Sequence, residues 1–459
     1  MEHLQTTEKV HDELLLHRRV DLLLRTGKLL VESLADTNRV VRNMKRTAAF
    51  LGIPEEKLHI NVSFTMLMVN VSDGDYSFTK FQRIDGHGVN MTAISAVSKL
   101  SWRAIENDYT LDQYEEELEE IRKRKRNYTP WQVAVGAGFA CGGFCIQFGC
   151  DWVAFLYASI AAIIGMRVRA KCNESGLNHY MGIAIAAFIS TMLAWASTLL
   201  PASWTTTPWH PLLACALFIV PGVPLINFVD DMLDNYIQVG IVRAVNTLLM
   251  VSAMAFGIAF AVKICHIENF FPTISMVPHH NYIEYAIAAA ISAMGFSMIF
   301  NIPRRLLWVV AIGGIIAVCT RNFVNLGPST DNIGLDMGLV IGSFAGSVLV
   351  SLIAIKAVHW FHCPNHVLTI PSVIPMIPGV LMYRMLFGII NMNVESPEQI
   401  SILMKAIQSG ITSGMVILCI SLGVAIPNIF GRKYIAKEKN KRLKEILAER
   451  RARGKFVEW

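Results

Sequence analysis

Two kinds of hydrophobic pattern share this chain, and they change over near residue 127. Before it, apolar residues come in one-sided stripes. Leu23, Gly27, Leu30, Leu34, Val41, Met44, Ala48 and Leu51 recur at helical spacing. Asp21, Arg25, Glu32, Arg39, Arg42 and Lys45 fill the other faces. The spacing predicts one long or two shorter amphipathic helices ending at Gly52-Ile53-Pro54. Ile60, Val62, Phe64, Met66 and Met68 then alternate with polar residues, which predicts a strand. A turn at Ser72 to Asp75 and a second strand from Tyr76 to Ile84 complete a hairpin. Helices follow at about 90–107 and 111–125, the second opened by a Thr110/Gln113 capping box.

Beyond residue 127 the stripes give way to apolar runs of the length a bilayer requires, roughly 20 residues each. Ten are predicted, at about 131–149, 152–168, 179–200, 211–228, 238–262, 282–301, 305–323, 335–358, 367–390 and 401–428. The stretch Asp230 to Asp234 is read as one of the breaks between them.

Charge sharpens this division. Residues 1–126 carry 19 Lys/Arg and 20 Asp/Glu, residues 127–430 carry 11 of each, and residues 431–459 carry 11 and 4. The expected domains are therefore a small cytoplasmic α+β domain (1–126), two membrane regions (127–265 and 266–430) and a basic cytoplasmic tail (431–459). The polar, acidic start of the chain does not read as a signal peptide. With Arg122 to Arg126 placed inside, Arg167, Arg169, Lys171, Arg304, Arg305, Lys356 and the tail also fall inside, which puts both termini in the cytoplasm of an inner-membrane protein. Trp131, Trp204 and Trp209 suit interface anchors. The net charge of +6 comes largely from the tail, so nucleic acid is not an expected partner.

The second half echoes the first. Gly143 to Phe148 resembles Gly295 to Phe300, and Ile219 to Val223 resembles Met376 to Val380, at offsets of 152 and 157 residues. Five helices per half force opposite orientations, so a 5+5 inverted repeat is predicted. Pro221, Gly222 and Pro224 in the fourth helix and Pro378 and Gly379 in the ninth mark broken helices. Their unpaired backbone groups cannot face lipid, and paired breaks of this kind are where substrate binds in the inverted-repeat plan. Simple proline kinks are the alternative. Beside the breaks, Asn227 could hydrogen-bond a substrate and Arg384 could hold a carboxylate. Asp230 and Asp231 could pair with an ammonium or relay protons; a solvated acidic loop remains equally open. Tyr383 is read as a packing or interface aromatic. Arg243, Asp336 and Lys356 are read as helix-end residues reaching water.

Other chemistry is sparse. No Walker loop or nucleophile motif occurs. His87, in Asp85-Gly86-His87-Gly88, could be a general base but reads better as an exposed turn residue. The loop from His359 to His366, with His362 and Cys363, is a single cluster, whereas closed zinc sites pair two clusters, so no metal and no cofactor is assigned. The nine cysteines form no CxxC pair and read as small buried hydrophobes.

Several segments together resemble the threonine/serine exporters. These are Thr26 to Ser33 with Arg39 and Arg42, Arg83 to Met91, the Leu111 to Ile121 helix, Val220 to Asn227, and Ile377-Pro378-Gly379. The resemblance covers nearly the whole chain. It implies a cytoplasmic N-terminal domain joined to ten membrane helices, and export of L-threonine and L-serine driven by the proton-motive force. Similar proteins split into two chains are associated with dicarboxylate (succinate) export, which is the alternative substrate. A membrane-anchored enzyme or sensor acting through residues 1–126 is the alternative of another class. The expected partners are a small-molecule substrate, protons and the lipid bilayer, with a homo-oligomer left open.

Overall fold

The computed structural model describes residues 2–73, 76–201, 203–267, 280–328, 333–390 and 397–452. The chain forms two compact units, one of Met1–Lys125, Asp230–Arg243 and Ile429–Trp459, the other of Arg126–Val229 and Ala244–Asn428.

The first unit is α+β. Two helices open it, α1 (Glu2–Glu32) and α2 (Thr37–Phe50), divided because Asp36 caps α2 by accepting from the backbone N–H of Arg39 at 2.8 Å. Strands β1 (Leu58–Val62), β2 (Met66–Asp73) and β3 (Tyr76–Arg83) form an antiparallel sheet in that order. The first predicted strand is thus two. The alternation through Phe64 hides a tight turn, in which Ser63 N–H donates to Met66 O at 2.8 Å and Ser63 Oγ accepts from Met66 N–H at 3.0 Å. Residues 74 and 75 of the predicted β2–β3 turn lie outside the described residues.

Two further helices, α3 (Met91–Glu106) and α4 (Leu111–Lys123), complete the layer, and the Thr110/Gln113 capping box is present. Gly27 is what lets α1 approach so closely, because a Cβ there would meet Leu67 Cδ2 at 2.4 Å and Met44 Sδ at 2.6 Å. The fully buried Tyr114 ties α4 to both long helices through Thr26 Oγ1 (3.0 Å) and Thr47 Oγ1 (3.1 Å).

The second unit is helical. It contains α5 (Pro130–Gln147), α6 (Trp152–Glu174), α7 (His179–Trp195), the short α8 (His210–Ala214), the first turns of α9 (Gly222–Leu233) and most of α10 (Ile237–Ile264). It continues with α11 (Tyr282–Ile299), α12 (Leu307–Asn325), α13 (Leu339–Phe361), α14 (Asn365–Val373), α15 (Gly379–Ile390) and α16 (Pro397–Ala452), which passes into the first unit. Among the described residues, seven helices are long and apolar enough to cross a membrane, or nine if each of two bent pairs is one span. The first predicted run, 131–149, corresponds to α5 and is not among them. No break separates the last apolar run from the basic tail, since α16 continues through residue 431.

These helices are amphipathic by size rather than polarity. On α6, Leu156, Ile160 and Ile164 are exposed while Ala154, Ala158, Ala161 and Ala162 are buried. Lipid tails are as apolar as leucine, so helix association depends on close backbone approach through small residues. The α5–α11 contact shows this directly. A Cβ on Gly143 would lie 2.6 Å from Ala288 O, one on Gly295 would lie 2.4 Å from Gly136 O, and Ser292 Oγ donates to Ala140 O at 3.2 Å.

Candidate functional site

Both predicted breaks are present. Helix α8 and a 3-10 turn at Leu217–Ile219 lead into α9 through a 58° bend. Helix α14 and a 3-10 turn at Ile374–Met376 lead into α15 through a 57° bend. Proline explains the geometry: Pro221 and Pro378 stand immediately before the new helices, where a missing N–H costs nothing.

The two breaks pack against each other. A Cβ on Gly222 would meet Ile374 Cδ1 at 2.2 Å and Ile377 Cδ1 at 3.0 Å. A Cβ on Gly379 would meet Leu217 Cδ2 at 2.7 Å and Val220 Cγ2 at 3.1 Å. Each residue in the first pair of contacts stands 157 positions from its counterpart in the second. Pro221 and Pro224 are buried in this contact, and Pro378 is half-buried.

Backbone groups freed by the bends find partners. Tyr383 O–H donates to Leu213 O at 2.8 Å, Phe218 N–H donates to Cys141 Sγ at 3.2 Å, and Cys141 Sγ–H donates to Cys215 O at 3.8 Å. Sequence reasoning assigned Tyr383 to packing and Cys141 to apolar filling. Their polar role follows from contacts across helices that no local pattern carries.

Asn227 and Arg384 each lie five residues past their glycine. Asn227 is buried and Arg384 half-buried. Both follow the N-termini of α9 and α15, where the helix dipole and unpaired N–H groups favour a carboxylate.

Asp230 and Asp231 depart from the expected loop. Helix α9 continues to Leu233, and both carboxylates are buried, at 3% and 1% exposure. The loop reading fails because Asp231 is held inside the first unit. It pairs with Arg243 Nε at 2.9 Å and accepts from Thr37 N–H at 2.8 Å. Arg243 is likewise no solvent-reaching helix-end residue; it is 2% exposed and donates to Ala35 O at 2.8 Å. Asn38 Nδ2 donates to Asp234 Oδ2 at 2.5 Å. The α1–α2 turn, residues 35–38, thus grips the end of α9 and the start of α10.

His87 is not an exposed turn residue either. Its ring stacks on Phe64 at 3.9 Å, and burial pushes its pKa below the ordinary histidine value. Nearby, Lys28 Nζ donates to Asp85 Oδ2 at 2.6 Å and holds that carboxyl below its usual range. Between α13 and α14 Cys363 is buried, as is His366 in the first turn of α14, and the side chain of His359, in α13, lies outside the described residues. None of the described cysteines is in a disulfide.

Residues 21–265 match the family described as "Putative threonine/serine exporter", and residues 285–430 match "Threonine/Serine exporter, ThrE". The chain belongs to the threonine/serine exporter family. It is a transporter, and its apolar helices make it a multi-pass membrane protein. Two relatives, each named "Probable succinate transporter subunit YjjP", come from Klebsiella aerogenes and Escherichia coli K12. They are 24% and 25% identical to this exporter-family chain over 240 and 243 residues, covering 52% and 53% of it and 91% and 93% of their own lengths. No solved structure matches the chain.

Proposed function

We propose that the protein exports small polar amino acids, L-threonine and L-serine, across the inner membrane, driven by the proton-motive force. Substrate binds where the two bent pairs meet. Arg384 holds its carboxylate, the N-termini of α9 and α15 add favourable dipoles, and Asn227 hydrogen-bonds a polar group of the substrate. Pro221, Gly222, Pro224, Pro378 and Gly379 shape the backbone around it. The observation that carries this reading is the reciprocal packing of Gly222 on Ile374 and Ile377 and of Gly379 on Leu217 and Val220. A two-fold exchange of the halves interconverts these contacts, as an inverted repeat of five spans each requires. In that plan α5 is the tenth span, enclosed by small-residue contacts, and both termini lie in the cytoplasm. Asp231, and Asp230 beside it, would carry proton coupling through the Arg243 pair.

The test is efflux from proteoliposomes loaded with threonine or serine. Efflux should rise with an imposed proton gradient and fall at least tenfold in Arg384→Ala. Equal flux with the gradient collapsed overturns the coupling, and normal flux in Arg384→Ala overturns the site. Cysteines placed between Lys263 and Asn281 should be labelled from outside intact cells; labelling from the cytosol alone overturns the topology.

A dicarboxylate substrate is the second reading, favoured by the names of the two relatives. Succinate competing better than threonine for the loaded transporter would select it.

A further inference from the structure

A second group of polar side chains gathers where α5, α11 and α12 come together, and none of them belongs to the bent pairs. Arg321, near the end of α12, directs its guanidinium at two amides. Nε and Nη2 donate to Asn322 Oδ1 at 3.1 and 3.0 Å, and Nη2 reaches Gln147 Oε1, at the last residue of α5, at 3.4 Å. Arginine has no acceptor, so its contacts fix both amide oxygens toward it. That orientation leaves Gln147 Nε2 and Asn322 Nδ2 buried without a hydrogen-bond partner, on residues only 7% and 3% exposed. Tyr285 of α11, 1% exposed, lies within electrostatic reach of Arg321.

Among the described residues no carboxylate pairs with Arg321. Glu284, on the same turn of α11 as Tyr285, is committed to His280 Nδ1 at 2.8 Å and to the Asn281 backbone N–H at 3.2 Å. Arg321 as a residue is half-buried.

The composition of this group is one-sided. It offers a cation and two buried amide donors, and its amide oxygens are already used by the cation. Leaving such donors unmade is costly, and a charged acceptor relieves that cost best. A planar carboxylate suits a guanidinium flanked by amide N–H groups, and a cationic ligand is repelled.

We propose that Arg321, Gln147 and Asn322 form a second binding site for a small carboxylate anion, separate from the Arg384 site. The identity of the anion as the transported substrate rests on the function proposed above; the carboxylate preference does not.

Full-length protein in lipid nanodiscs, carrying Arg384→Ala to remove the first site, is titrated separately with succinate and with L-threonine. Thermal shift and calorimetry supply the readouts. At least one of the two should bind, and adding Arg321→Gln should weaken it at least tenfold without a comparable fall in the unliganded melting temperature. Gln147→Leu should weaken it about threefold or more, and Arg321→Lys should retain part of the affinity. Gln147→Leu also decides the matter should Arg321→Gln fail to fold. Unchanged affinity in folded Arg321→Gln and Gln147→Leu overturns the proposal, as does displacement of the carboxylate by equimolar chloride. Carboxylate binding that tracks Arg321, together with no efflux from protein that keeps Arg384, sinks the transport reading and leaves this site standing.

Discussion

The two bent pairs share a shape and differ in charge. Their bends are 58° and 57°, and their glycines face each other's 3-10 turns. Five residues past each glycine, however, one pair carries Asn227 and the other Arg384. Three and four residues farther, the first carries Asp230 and Asp231 and the second Phe387 and Gly388. The same backbone solution is used twice while the side chains diverge. Close packing at a glycine tolerates almost no change, because any added carbon meets atoms already in contact. Positions one or two turns along are free to become a charge, an amide or an aromatic. The bend therefore recurs, and the chemistry beside it does not.

Breaking the charged end of α9 should have the largest effect on stability. In Arg243→Ala, Asp231 becomes an uncompensated buried carboxylate, which costs about 3–5 kcal/mol. Denaturation of the purified protein should show it, and Asp231→Asn combined with Arg243→Ala should recover part of the loss. A loss below about 1 kcal/mol would show that the pair is not what holds the α1–α2 turn to α9.

Next in size is the small-residue scaffold. Gly295→Val places carbon against the backbone of Gly136 and Ala140, contacts that cannot rotate away. Overpacking of this kind costs about 1–3 kcal/mol. Gly222→Ala meets only the mobile ends of Ile374 and Ile377, so it should cost less in stability. A reversed order, read from melting temperatures, would show that the bends and not the α5–α11 contact are the rigid element.

Tyr383→Phe leaves Leu213 O without its donor at the first bend and should cost about 0.5–1.5 kcal/mol. No such loss is expected from Tyr282→Phe, whose hydroxyl donates to Ile333 O and is exposed.

The smallest effect concerns the stacked His87. Its folded pKa lies below the ordinary histidine value of about 6.5 because burial disfavours the charged ring. The unfolded chain then binds more protons between the two values, so stability falls as pH drops through about 6.5 and levels off below the folded pKa. Comparing wild type with His87→Phe from pH 8 to pH 5 should show this slope in the wild type alone. Parallel curves would mean that the ring is freely solvated.

Much of this molecule is legible in one dimension because its signals are local. Thr110 and the Pro-Gly dipeptides act within a few residues of themselves, so a helix start and the two bends can be read directly. The alternation through Phe64 misleads because a strand and a tight turn between strands share the same period. Burial of Asp230 and Asp231 is illegible for a different reason. An acidic cluster beside an apolar run looks like a loop until Arg243 and Thr37, the latter distant in the chain, are folded against it.

The amino-acid order alone decides that apolar runs of bilayer length follow a charged α+β region, and that proline and glycine interrupt two of those runs at matched places. Hydropathy and backbone dihedral limits are properties of short segments, and they act wherever the segment lies. Only the tertiary structure decides that Gly222 meets Ile374, that Tyr383 caps Leu213, and that Arg321 faces two amides. Those facts depend on which surfaces meet, and in a medium as apolar as the side chains it solvates, that choice is made by shape and hydrogen bonding between distant residues.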